Sequence, residues 1–94
     1  MSVRVRIPSP LRSITGGAAE VTVAATGSLA QVLSTLEEQY PGLGQRLRVA
    51  DGGLNRFINV YVNGEDVRFL QGLDTPLKEG DEVSIVPAVA GGRA

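Results

Sequence analysis

The chain has 94 residues, a formal net charge of −1, and neither cysteine nor histidine. That length suits one domain; the composition rules out disulfides and Ser-His-Asp or Cys-His sites, and it argues against zinc and haem. With no basic tract, two Phe, two Tyr and no Trp, the chain has no electrostatic footprint or stacking platform for nucleic acid, and no segment has the apolar length of a membrane span.

The chain opens with Val3, Val5 and Ile7 alternating with Ser2, Arg4 and Arg6. A period of two predicts a half-buried strand with its arginines on the wet face. The same alternation denies a signal peptide its continuous apolar stretch, so a cytoplasmic protein is expected. Pro8 and Pro10 stop the strand, and Gly16-Gly17 marks a turn. Val21 and Val23 then predict a second strand, paired with the first through a long loop.

Ser28 is a good N-cap, and Gln31 three residues on completes a capping-box pattern. Leu29, Val32, Leu33, Leu36 and Tyr40 follow at helical spacing, which puts one apolar stripe against a core. Pro41-Gly42 ends the helix, and residues 43–49 allow a further short helical turn. Residues 57–62 form the clearest strand, with Ile58, Val60 and Val62 on one face and Phe57, Asn59 and Tyr61 on the other. Asn63-Gly64 is a strong hairpin turn, since both residues tolerate positive φ. Residues 65–69 are expected to return as a short strand, 72–80 as an irregular loop, and 82–86 as the last strand with Val83 and Ile85 inward.

One helix must bury its stripe against one face of one sheet, because no other element can cover either. The expected fold is α+β: a ubiquitin-like β-grasp, with a mixed sheet of four to five strands on one helix. The right-handed crossover rule places the first and last strands side by side and parallel in the middle. The domain is expected to span residues 1–87, with a flexible tail over 88–94.

Enzyme motifs are scarce, and no catalytic or metal-binding residues are predicted. Gly42 and Gly44 begin like a dinucleotide fingerprint, but Leu47 stands where the third glycine belongs and no strand leads in. The acidic pairs Glu37-Glu38, Glu65-Asp66 and Asp81-Glu82 are sequence neighbours, which do not face each other on a helix or strand, so they read as solvated surface. Arg4, Arg6 and Arg56 suit either a small basic face or ordinary surface charge. Phe57, Leu70, Val86 and Pro87 are candidates for an apolar partner-binding patch beside the tail; the alternative is that Leu70 and Val86 complete the core. The tail itself reads Ala88, Val89, Ala90, Gly91, Gly92, Arg93, Ala94. Two glycines lacking Cβ atoms can thread a narrow slot in another protein, unless the end is merely loose chain.

The run RFINVYVNGEDVRF at residues 56–69 resembles the signature hairpin of the ThiS/MoaD sulfur-carrier family. The run LKEGDEVSIVPAVAGG at residues 77–92 resembles that family's C-terminal block, and the details are most similar to its CysO-type carriers. The resemblance covers nearly the whole chain. It implies that an E1-like adenylyltransferase, using ATP and Mg²⁺, adenylates the carboxyl of Gly92. A sulfur donor then converts the mixed anhydride to a thiocarboxylate. Gly92 would carry the sulfur, Gly91 would give clearance, and Ala88, Val89 and Ala90 would fill the access channel. The chain would be a protein co-substrate with no cofactor of its own. Its acceptor would be a cysteine synthase, or an enzyme like thiazole synthase or molybdopterin synthase.

The sequence departs from the family pattern by continuing past Gly92, which puts the reactive carboxyl in an amide. The resemblance implies a cut between Gly92 and Arg93 by a JAMM-type metalloprotease, unless Arg93-Ala94 is an addition to the natural chain. A covalent protein modifier and a noncovalent interaction domain are the competing functions.

Overall fold

The computed structural model describes residues 2–24, 27–47, 53, 55 and 58–87. Strand β1 (Val3–Arg6) pairs antiparallel with β2 (Glu20–Val23), in the register Val3 to Val23 and Val5 to Val21. The alternation seen in the sequence is the burial pattern: Val3, Val5, Val21 and Val23 are buried, while Arg4, Arg6, Glu20 and Thr22 face water. The connection between them is ordered by a 3₁₀ turn at Ser9–Leu11, which buries Leu11. Arg12 Nε donates to the Ile7 carbonyl at 3.0 Å, and the buried Thr15 hydroxyl donates to the Ala18 carbonyl at 2.9 Å.

A two-residue strand, β3 (Gly27–Ser28), leads into helix α1 (Leu29–Gln39), which begins as its sequence predicts. Ser28 Oγ accepts from Gln31 N at 3.3 Å, and Gln31 Oε1 accepts from Ser28 N at 3.4 Å, so two otherwise orphaned donors are satisfied reciprocally. Gly27 makes room for this: its φ is +118°, and a Cβ there would overlap the Gln31 carboxamide. Leu29, Val32, Leu33 and Leu36 are buried, and Tyr40 packs at the core margin as the C-cap. A short α2 (Gly44–Leu47) follows and adds Leu47 to the core.

Strand β4 (Ile58–Val62) turns at Asn63 and Gly64, both with positive φ, into β5 (Glu65–Asp66). Another two-residue strand, β6 (Pro76–Leu77), pairs antiparallel with β3 in a small second sheet at the start of α1. The last strand, β7 (Glu82–Pro87), lies between β1 and β4, parallel to the first and antiparallel to the second. The order of the main sheet is β2-β1-β7-β4-β5, with the first and last strands of the chain side by side. Its inner face (Val60, Val62, Val83 and Ile85 with the four valines of β1 and β2) packs on α1. The architecture is a ubiquitin-like β-grasp.

Two expectations need correction. Residues 65–69 do not return as one strand: pairing ends at Asp66, and a 3₁₀ turn takes over at Val67–Phe69. The cause is local, because the Asp66 carboxylate caps that turn by accepting from Arg68 N at 2.9 Å. The loop at 72–80 is also more regular than expected, since a 3₁₀ turn at Gly72–Asp74 delivers the chain into the pairing of β6 with β3.

Candidate functional site: the end of the sheet where the tail leaves

Strand β7 carries the chain to Pro87 at one end of the sheet. Ile85 is the last residue of β7 to face the core; Val86 lies on the outer face, 40% exposed, opposite Asn59, and Pro87 lies opposite Ile58. Because β1 runs parallel to β7, its continuation reaches the same end. Pro8, Pro10 and Leu11 therefore meet Ile58 and Pro87 there, and with Arg46 and Asn55 they line a notch of about 210 Å³. Three of its seven lining residues are prolines, each with its own φ fixed. The notch thus lies where β7 ends.

Of the predicted patch, Val86 and Pro87 are at this exit. Leu70 is not. It is 36% exposed and lines a separate groove of about 420 Å³ with Val62, Asn63, Lys78 and Asp81, at the sheet end where β4 finishes and β7 begins. The 3₁₀ turn at Val67–Phe69 explains the separation, because it diverts the chain away from a strand that would have run back along β4. Neither Leu70 nor Val86 completes the core. Phe57, Ala88, Val89, Ala90, Gly91, Gly92 and Arg93 lie outside the described residues, as does Arg56. Sequence reasoning missed Pro8, Pro10 and Leu11, whose only signal was the end of a strand, and Phe69, which is 84% exposed.

The outer face of the sheet is electrically balanced. Arg4 Nε lies 3.8 Å from Glu20 Oε2, and Arg6 Nη1 lies 3.4 Å from Glu82 Oε2. Two of the three arginines considered as a basic face therefore have carboxylate partners on neighbouring strands. These pairs are exposed and contribute little to stability.

Asp66 and Asp81 correct the expectation of solvated acidic pairs, because both side chains are nearly buried. Asp66 accepts from Arg68 Nη2 at 2.7 Å and from Arg68 Nε at 3.2 Å. These bonds, joined by the Arg68 backbone N–H, hold its carboxyl below the usual value. Burial pushes the Asp81 carboxyl up, but hydrogen bonds from Asn63 Nδ2 at 3.1 Å and Lys78 N at 3.0 Å, with the Lys78 charge, outweigh it and leave it lowered. Both acids are held ionised by structural partners. Neither is tuned to exchange protons near neutrality.

Among the described residues, no group of three or more acidic, His or Cys side chains is placed to hold a metal ion, and no helix is long and apolar enough to cross a membrane.

The ThiS family model matches residues 5–92. The Sulfur carrier protein CysO of Mycobacterium tuberculosis (strain ATCC 25618 / H37Rv) is 50% identical over 95 residues, covering 98% of this chain and 100% of that protein. The Small archaeal modifier protein 3 of Haloferax volcanii is 45% identical over 65 residues, covering 69% of this chain and 70% of that protein. Among solved structures, the Amycolatopsis orientalis BexX/CysO complex contains a chain that superposes with a TM-score of 0.86 at 44% identity, covering 96% of this chain and 99% of its own.

Proposed function

This chain belongs to the ThiS family, and from that premise we propose that it is a sulfur carrier whose working group is the carboxyl of Gly92. The observation that carries the reading is that the family match continues beyond β7 to end at Gly92, the second glycine of the tail. An ionised carboxylate is a poor electrophile and must be activated. Adenylation by an E1-like enzyme, with ATP and Mg²⁺, forms an acyl phosphate anhydride. Attack by a sulfur donor then releases AMP and leaves the thiocarboxylate. A sulfur-acceptor synthase, for cysteine or another sulfur-containing product, takes the sulfur, and water supplies the oxygen that restores the carboxylate once the carbon–sulfur bond is broken. All acid-base and metal chemistry resides on these partners.

Arg93-Ala94 must leave first, because an amide carbonyl at Gly92 cannot be adenylated as an acid. A JAMM-type metalloprotease cutting after Gly92 supplies that step. The test compares the 94-residue chain with one ending at Gly92, each given the activating enzyme, ATP and sulfide. Intact mass reads the replacement of one oxygen by sulfur. The Gly92-ended chain is expected to be loaded and the longer chain not. Equal loading of both, with no protease present, would overturn the cleavage step; loading of neither would overturn the carrier reading.

The likeness to a small archaeal modifier protein favours a second reading, in which the activated Gly92 is joined to lysines of target proteins. High-mass conjugates in cell extracts, absent when Gly92 is removed, would mark that outcome.

A further inference from the structure

We infer that Phe69 is a fixed anchor for a partner protein offering an apolar pocket edged by lysine or arginine. Phe69 is 84% exposed, the most exposed large apolar side chain among the described residues. One exposed phenylalanine on a loose loop would be unremarkable surface. This loop is not loose. On its N-terminal side Val67 is buried in the core and Asp66 grips both the backbone and the guanidinium of Arg68. On its C-terminal side Leu70 N donates to the Val67 carbonyl at 2.9 Å, and Gln71 N donates to Thr75 Oγ1 at 3.2 Å. The buried Thr75 hydroxyl in turn donates to the Gly72 carbonyl at 2.7 Å. The backbone bearing Phe69 is therefore fixed before any partner arrives, which lowers the entropy cost of using it as a contact.

Charge names the chemistry of the partner. Residues 65–74 carry Glu65, Asp66 and Asp74 against Arg68 alone. The Arg68 charge is met by Asp66. Glu65 and Asp74 are exposed, and among the described residues neither forms an ion pair. A segment that carries Phe69 and two such carboxylates is complementary to an apolar pocket with a cationic rim. Leu70, beside it, extends the apolar surface toward the groove with Val62 and Pro76. On its other side the turn reaches toward the tail exit, since Val67 and Arg68 share a cavity with Asn55 and Ile58, which also line the notch at Pro87. A partner holding both places would fix the domain while the tail reaches inward, spending remote binding on positioning the reacting carbonyl.

The choice of the activating enzyme as that partner rests on the carrier reading. The test titrates the full 94-residue chain, whose Gly92 carboxyl is blocked, into a purified E1-like adenylating enzyme without ATP, and reads affinity by calorimetry. Phe69→Ser is expected to weaken binding about 30-fold, the size of an interface hot spot. Its melting temperature should match that of the wild type, and Phe69→Leu should restore part of the affinity. Glu65→Gln with Asp74→Asn should weaken binding at low salt and converge on the wild type near 1 M salt, where the screening length is about 3 Å. No binding by the wild type, or undiminished binding by Phe69→Ser, overturns the anchor. Phe69-dependent binding by a chain whose Gly92-ended form is never adenylated would leave the anchor standing and remove the carrier reading instead.

Discussion

Asp81 sits where three segments of the chain cross. Its carboxylate takes hydrogen bonds from Asn63 and Lys78, and its carbonyl accepts from Arg4 N at 3.0 Å. Its carboxyl titrates below the ordinary value of 3.8 in the folded state. Between that lowered value and the ordinary one, the unfolded chain binds more protons than the folded one, so stability rises with pH. The contribution is complete above about pH 5 and drains away as pH falls through the ordinary value toward the lowered one. Asp66 acts with the same sign. Thermal melts across a pH series should show Asp81→Asn less stable than wild type at neutral pH, with a shallower decline into acid. A parallel decline would remove Asp81 as a source of acid sensitivity. On the carrier reading, Gly92 should show the opposite dissociation, function without stability. The described core runs from Val3 to Ile85, so Gly92→Ala in a Gly92-ended chain should melt like the wild type. Its methyl group would stand beside the reacting carbonyl and narrow the available φ, and a misplacement of about 1 Å can cost on the order of a hundredfold in rate. Adenylation followed by pyrophosphate release measures that loss; a normal rate would detach Gly92 from the chemistry.

Helix α1 is the element whose start is most fully specified. Ser28→Ala removes the hydroxyl that accepts from Gln31 N and should cost about 1 kcal/mol, or about 4–8 °C in melting temperature for a domain of this size. Calorimetric melting checks this, and an unchanged transition would mean that β3 and β6 alone hold the helix start. The long elements were legible because many residues record the same period: four buried positions in α1, the strict alternation of β1, the paired positive φ at Asn63 and Gly64. Strands β3, β5 and β6 have two residues each, too few to show a period, and β6 exists only because Gly27–Ser28 lies opposite it. Leu70 was misplaced for a related reason. Whether Asp66 continues a strand or caps a turn depends on a bond to Arg68 two residues later, which alternation does not encode. At the candidate site, Val86 and Pro87 were legible from the end of the apolar alternation. The notch was not, because Pro8, Pro10 and Leu11 reach it through the parallel pairing of strands far apart in the chain.

Seen whole, the described chain enters and leaves the main sheet at opposite poles of one pair of strands. β1 starts beside the turn that holds Asp81, and the parallel β7 finishes at the tail exit. On the proposed carrier reading, a partner that draws the tail into its active site would load β7 from its Pro87 end. There the load meets the ladder to β1 on one flank and the ladder to β4 on the other. The load falls on these hydrogen bonds in shear, many at once, and cannot peel them apart singly as it would at a sheet edge. On the carrier reading, the domain can thus bear a load at Pro87 while its sheet stays closed.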